Sequence, residues 1–274
     1  MTTQTALLLL TTETPLHAGA GQSVAGIDLP IQREVHTDWP CVYGSAVKGA
    51  LRAHAHHLSY GKEDLTDLFG PDHAAAAGER DSSHAGALLV GDALLLALPV
   101  RSLQSCFKWV TCPAALQRFG RTAARLGLGL GLPTAPIPAR DEALGNGDAK
   151  LFLEEFRFKQ SASPITDALA KTLAGLSGGA LEATSLHERL VIVHDDIFSF
   201  LARNDTAVNA HIAIDAATKT VKEGALWYEE TLPPETLLYV PLSANASRRK
   251  GSALNATQVL ARCEQLLPAE KNWL

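Results

Sequence analysis

The residues with the most chemical potential lie in HAGAGQSVAGIDLPIQRE, residues 17–34. Gly19, Gly21 and Gly26 let the backbone of this stretch approach a ligand closely. One carboxylate, Asp28, follows them between Ile27 and Leu29. The spacing excludes both standard nucleotide cradles. No Gly-Lys-Ser/Thr follows Gly26, as a Walker loop requires, and Val24 stands where a dinucleotide fingerprint needs its third glycine. What remains is a polar, glycine-rich loop in which His17 and Gln22 can hydrogen-bond a phosphate or a ribose. A solvated Asp, with a pKa of roughly 4, is a weak general base at neutral pH. Holding Mg²⁺ or Mn²⁺ suits its oxygens equally well.

Other groups compete for attention. Ser45-Ala-Val-Lys48 has the Ser-x-x-Lys spacing of acyl-transfer enzymes, but no Ser-Asp-Asn or Lys-Thr-Gly element follows. A serine capping a helix, with a lysine one turn in, is the plainer reading, and such a helix start also suits a phosphate. His54, His56 and His57 are dense enough for a metal site and so for a metal-dependent hydrolase. No neighbouring acid or cysteine completes that set, which favours a solvated helix end. Asp195-Asp196 reads as helix capping and dipole compensation. In Trp227-Tyr228-Glu229-Glu230 strand alternation sends neighbours to opposite faces, so one acid of the pair can enter a cleft. The aromatic rings there can stack on unpaired bases. Between Pro99 and Arg125 five basic residues (Arg101, Lys108, Arg118, Arg121, Arg125) occur without an acid. Arg118, Arg121 and Arg125 share one face of a helix over 113–126. Arg248-Arg249-Lys250 forms a second basic cluster, expected in a loop.

Composition limits the possibilities. The 274 residues are 46% hydrophobic and 19% charged, enough for a substantial core. A net charge of −5 argues against a protein that grips nucleic acid over its whole surface, while leaving room for a local basic track. The four cysteines, Cys41, Cys106, Cys112 and Cys263, form no Cys-x-x-Cys pair and read as small buried hydrophobes. LLLL at 7–10 is too short for a signal core or a membrane span. A cytoplasmic protein without a membrane partner is expected.

The elements that must position these groups follow from hydrophobic period and punctuation. A strand over 5–12 enters the core and the glycine stretch follows as a long loop. Helices are expected over 46–58, capped by Ser45 with Ala46, Val47, Ala50, Leu51 and Leu58 on one side, and over 63–69, ending at Gly70-Pro71. The Ala/Gly/Ser-rich run 71–85 reads as a mobile insertion. Residues 86–100 hold two strand segments around Gly91-Asp92. Residues 127–149 read as an irregular connection and 151–158 as one strand. Helices are expected over 164–176, over 195–203 with Asp195 as cap, and over 255–267. Segments 211–215, 220–230 and 235–243 are read as a meander. Interleaved strands, hairpins and helices indicate an α+β antiparallel sheet in a single domain spanning 1–274.

Several blocks together resemble one family. TPLHAGAGQSVAGIDLPIQRE, YGSAVKGALR, LFG, GDALLLALPVRS, FKWVTCP and TVKEGALWYEETLP, in that order from about residue 10 to 243, are similar to the backbone subunits of type III-B CRISPR (Cmr) effector complexes, in the RAMP superfamily. The resemblance implies an RRM-like, ferredoxin-type core with large insertions and a protruding β-hairpin thumb near 205–230. It implies an endoribonuclease subunit in several copies stacked along a guide crRNA, beside other protein subunits of the complex. Each thumb would displace one guide–target base pair, so complementary target RNA would be cut once per copy by 2′-OH attack. A non-catalytic RNA-binding scaffold is the alternative role.

In the same resemblance Asp28 falls on the family's catalytic acid, as base or as ligand of a divalent cation. His17 and Glu229 fall near the scissile phosphate. The RNA-binding set is Gly19, Gly21, Gln22, Ser45, Lys48, Arg52, Arg101 and Trp227. Thr231 stands where the family often has tyrosine. The family continues past an NWL-like end with a glycine-rich loop, whereas this sequence ends at Leu274.

Overall fold

The computed structural model describes residues 3–23, 26–72 and 84–267. Most of the expected insertion at 71–85 lies outside them. The first half runs β1 (Gln4–Thr11), β2 (Cys41–Val42), α1 (Gly44–His57), α2 (Lys62–Phe69), β3 (Leu88–Val90), β4 (Ala93–Arg101), β5 (Phe107–Thr111) and α3 (Pro113–Arg125). It continues through β6 (Glu142–Gly145), β7 (Lys150–Leu153), β8 (Phe156–Ser161), α4 (Pro164–Leu176), α5 (Ala183–Arg189), β9 (Leu190–Ile192) and α6 (Asp195–Asn204). The chain then forms β10 (Ala207–Ile214), β11 (Val221–Thr231), β12 (Leu237–Ala244) and α7 (Ala256–Gln265). None of these helices is long and apolar enough to cross a membrane.

Ten strands form one sheet in the order β1-β12-β4-β5-β9-β6-β8-β7, with β2 on β4 and β3 on β12. Pairing is mostly antiparallel; β5–β9 and β6–β8 are parallel. The fold is therefore α+β. The sheet is covered on both faces, which explains why its central strands β4 and β12 read as near-continuous apolar runs. On one face Leu238, Val240 and Leu242 meet Val47, Leu51 and Ala55 of α1 and Phe198 and Leu201 of α6. On the other, Leu237 and Tyr239 meet Leu116 and Phe119 of α3 and Leu169 and Leu173 of α4.

Several elements differ from the sequence expectations. The strand over 151–158 is a hairpin: Glu154 adopts φ +48 and turns the chain between β7 and β8. The connection 127–149 contains β6, recruited by pairing with β9 and β8. Helix α1 starts one residue before Ser45, with Tyr43 at its N-cap and no side-chain cap. Gly44 makes that start possible, because a Cβ there would lie 2.5 Å from the Val90 carbonyl oxygen. The Gly44 N–H instead donates to Asp92 Oδ1 at 2.7 Å. The buried seam of α1 is Val47-Leu51-Ala55, and Ala46 and Ala50 face solvent. His194, not Asp195, caps α6, its Nδ1 accepting from the Asp196 N–H. Asp195 caps its neighbour, accepting from Ala114 N at the start of α3.

The expected meander does not form. Strands β10 and β11 pair with each other as a two-stranded ribbon apart from the main sheet, while β12 leaves for the main sheet. The ribbon spans the region expected to hold the thumb. Along one of its faces Val208, Ile212, Ile214, Leu226 and Tyr228 are exposed.

Candidate active site

The glycine stretch is not an open loop but a narrow irregular hairpin. Backbone bonds Gln32 N–Ala18 O (2.8 Å), Ala20 N–Pro30 O (2.9 Å) and Ser23 N–Asp28 O (2.9 Å) zip its limbs together. Gln32 locks its base, donating to Gly19 O at 2.9 Å and accepting from Tyr43 N at 2.6 Å. The returning limb lies on β11, through Leu29 N–Tyr228 O and Glu230 N–Leu29 O, both 3.0 Å. Asp28, which follows the turn, is thereby pressed against the base of the ribbon.

There it meets residues remote in sequence. Asp28 Oδ2 accepts the Tyr228 N–H at 2.7 Å, across 200 residues of chain. His17 Nδ1 lies 2.8 Å from the Glu230 carbonyl oxygen. A carbonyl only accepts, so Nδ1 carries the hydrogen, and in the neutral ring Nε2 keeps the lone pair. Glu229 Oε1 stands 3.6 Å from the same Nδ1, and Glu229 Oε2 stands 3.2 Å from His211 Nε2 on β10. The His211 ring stacks on Trp227, with centroids 5.4 Å apart and planes 14° apart. Asp28 and His17 are thus held at successive residues of β11, Tyr228 and Glu229, where the hairpin meets the ribbon. His211 was not among the residues singled out from sequence. Its strand register, His211 opposite Trp227, is what places it there.

Glu230 supports this arrangement from below. It is buried, and its Oε1 accepts from Arg33 Nη2 and Thr206 Oγ1, both at 2.6 Å, while Oε2 accepts Ile31 N at 3.0 Å. Burial pushes its pKa up, but the bonds from Thr206, Arg33 and the Ile31 N–H outweigh burial and hold it below the usual value. Arg33 also donates to Ala202 O at the end of α6. One buried ion pair therefore ties together the hairpin, the ribbon's base and the helix before it.

The sequence profile of the RAMP superfamily matches residues 9–262. The chain belongs to the RAMP superfamily. It is 35% identical over 240 residues to the CRISPR system Cmr endoribonuclease Cmr4 of Pyrococcus furiosus, covering 85% of this chain and 79% of that protein. The crystal structure of oligomeric Cmr4 from Pyrococcus furiosus superposes with a TM-score of 0.72 at 27% identity, covering 96% of this chain and 88% of that one. A chain in the cryo-EM structure of the Type III-B Cmr-beta bound to cognate target RNA shares the fold, with a TM-score of 0.70 at 20% identity. That alignment covers 94% of this chain and 88% of the other.

The remaining positions of interest in this RAMP chain divide by location. Gly19, Gly21 and Gln22 are exposed on the hairpin, and Trp227 is half-buried on the ribbon. Ser45 is exposed on the first turn of α1. Lys48 is half-buried and donates to Leu88 O at 2.9 Å, holding α1 to β3. Burial, then the charge of Arg52, pushes its pKa down. Arg101 is exposed at the end of β4 and pairs with Glu154 at 2.5 Å.

Other clusters are structural. Arg118 does not line a basic face with Arg121 and Arg125: it grips both oxygens of Glu34 at 2.6 and 2.7 Å and lies over Trp39. Arg249 is bound to Asp67 and Glu63. His54 Nε2 hydrogen-bonds Leu266 O at 3.0 Å, and among the described residues no three His, Cys, Asp or Glu are grouped to hold a metal ion. The histidine-rich helix end thus gathers no ligand set among the described residues, and His54 serves to tie α1 to the chain after α7.

Proposed function

We propose that this chain is a repeating backbone subunit of a type III-B CRISPR effector complex that binds guide RNA and cuts the paired target RNA, with Asp28 at the scissile phosphate. Membership of the RAMP superfamily and 35% identity to a Cmr endoribonuclease support the backbone and nuclease role. Copies of the chain would stack along the guide beside the complex's other subunits, each offering its ribbon as the thumb. The observation that carries the site is the docking of Asp28 on Tyr228, beside His17 and Glu229 at the ribbon's base.

The chemistry needs little from the protein once the RNA is bent. The target's 2′-oxygen must stand in line with the leaving 5′-oxygen. A ribbon wedged between guide and target unstacks a nucleotide and supplies that distortion. His17 Nε2 takes the 2′-hydroxyl proton and the 2′-oxygen attacks phosphorus. The P–O5′ bond breaks and the 5′-oxygen takes a proton from solvent water, to which the imidazolium later returns its own, leaving a 2′,3′-cyclic phosphate and a 5′-hydroxyl. Glu229 beside Nδ1 stabilises the imidazolium so formed. Asp28 offers hard carboxylate oxygens and would be the residue of this chain to hold a divalent cation. Such an ion, when bound, neutralises charge on the phosphoryl oxygens. Pairing with the guide supplies sequence choice, and the protein reads backbone and shape.

The test is a complex assembled with Asp28→Ala and given labelled complementary RNA. Cutting falls by about 10²–10⁴-fold at every regular site while target binding persists. Undiminished cutting overturns the assignment of Asp28.

A further inference from the structure

The reading above leaves one contact at the site unused. Glu229 has two carboxylate oxygens, and each faces a different imidazole: Oε1 stands 3.6 Å from His17 Nδ1 and Oε2 3.2 Å from His211 Nε2. His17 comes from the hairpin at the start of the chain and His211 from the outer strand of the ribbon, so Glu229 bridges two elements. His17 has a second hold on its ring, the Glu230 carbonyl at 2.8 Å. For Glu229 the hold beyond His17 is His211. His211 in turn is braced flat against Trp227, its partner across the ribbon, with planes 14° apart. A carboxylate on a half-buried strand position otherwise has several rotamers. Here Oε2 lies 3.2 Å from the stacked ring in the rotamer that turns Oε1 toward His17.

We propose that His211 is a positioning residue for target-RNA cleavage: braced on Trp227, it holds the Glu229 carboxylate against His17 and so couples the ribbon's placement on RNA to the ring that takes the proton. This rests on the assignment of His17 and Asp28 to the cleavage site. The logic is that of any base oriented by a third group, extended by one member. The contact also has a mechanical consequence. His211, Trp227 and Glu229 all sit on the ribbon and His17 on the hairpin, so a ribbon displaced by unpaired or mismatched RNA carries the His211-braced Glu229 away from His17. Cutting would then require the ribbon to be seated.

The experiment uses the whole effector complex, loaded with guide and given complementary RNA in single-turnover conditions. His211→Ala, His211→Gln, Asp28→Ala, Glu229→Gln and the His211→Ala/Glu229→Gln double variant are compared for cleavage rate constant and, separately, for target affinity. A well-placed general base contributes about 10²–10⁴-fold, so a residue that acts through it costs less: His211→Ala should slow cutting about tenfold. Target affinity should not change. His211→Gln, whose amide N–H can reach Glu229, should regain most of the rate. In the double variant the His211→Ala loss should vanish, because its route through Glu229 is already broken.

A wild-type rate in His211→Ala overturns the proposal, and so does a loss that persists undiminished in the Glu229→Gln background. A rate loss matched by an equal loss of target affinity also overturns it, since that would make His211 an RNA contact. The control separates the two readings. If Asp28→Ala cuts normally, the site itself is misassigned. If Asp28→Ala is inactive and His211→Ala is normal, only the role of His211 falls.

Discussion

Glycine at position 19 illustrates how a single atom count decides chemistry. A Cβ built there would stand 2.8 Å from His17 Nε2, the nitrogen left with the lone pair. Any side chain at 19 must therefore push the imidazole aside or cover it. We expect Gly19→Ala to lower cleavage about tenfold, by displacing a proton acceptor whose full contribution is about 10²–10⁴-fold. The melting temperature should barely move, because the neighbour that must give way is a half-exposed side chain. A cleavage assay beside a thermal melt checks both halves. Tyr228 shows the same economy from the other side: its backbone N–H, not its ring, holds Asp28, so Tyr228→Phe should leave that contact intact.

At the scale of elements, the decisive joint is the one Glu230 makes. Its carboxylate receives bonds from the hairpin (Ile31 N and Arg33) and from Thr206 at the foot of the ribbon. Removing one partner of a buried pair strands the other, so Glu230→Gln should cost about 3 kcal/mol at neutral pH, read from urea denaturation. The pH dependence follows from the direction of the shift. Glu230 titrates below its ordinary 4.5 in the folded chain. Its stabilising contribution is therefore complete above 4.5 and disappears as pH falls through the lower, folded-state value. Between pH 6 and 3 the wild type should lose more stability than Glu230→Gln; equal losses would show that this carboxylate is not the acid-sensitive joint.

Over the whole molecule, the arithmetic of charge explains how a chain of net charge −5 can lie on RNA. Many of its cations are already engaged: Arg33, Arg118 and Arg249 are bound to acids and Lys48 to a carbonyl. Among the described residues Arg52, one turn beyond Lys48 on α1, makes no such contact and is the better candidate for phosphate. Guide retention should weaken with salt. Arg52→Ala should flatten that dependence by about 0.7 in the log–log slope, the effect of one phosphate contact to a single strand. Lys48→Ala should change stability more than slope. Filter binding of the guide across a salt series distinguishes the two.

Much of this protein is written locally. The mixture of apolar runs, hairpins and capped helices determined an α+β chain, and the ordered blocks around Asp28 and Glu229 determined its resemblance to the RAMP family. Boundaries of α2, α4 and α7 follow from Gly70, Ser163 and Asn255, whose effects act within one turn. Long-range pairing was not legible in the same way. Strand β6 forms inside a Gly/Pro-rich connection because β8 and β9 offer it hydrogen bonds, and β12 abandons the ribbon because the centre of the sheet buries both its faces. Burial likewise turned Arg118 from a surface charge into an anchor for Glu34. At the site, the resemblance to the family named Asp28, His17 and Glu229 as candidates, while local alternation alone left Glu229 and Glu230 equivalent. Only the tertiary structure brought in His211, Arg33 and Glu230, since cross-strand register and a buried ion pair arise when segments some 200 residues apart meet, and no local pattern encodes that meeting.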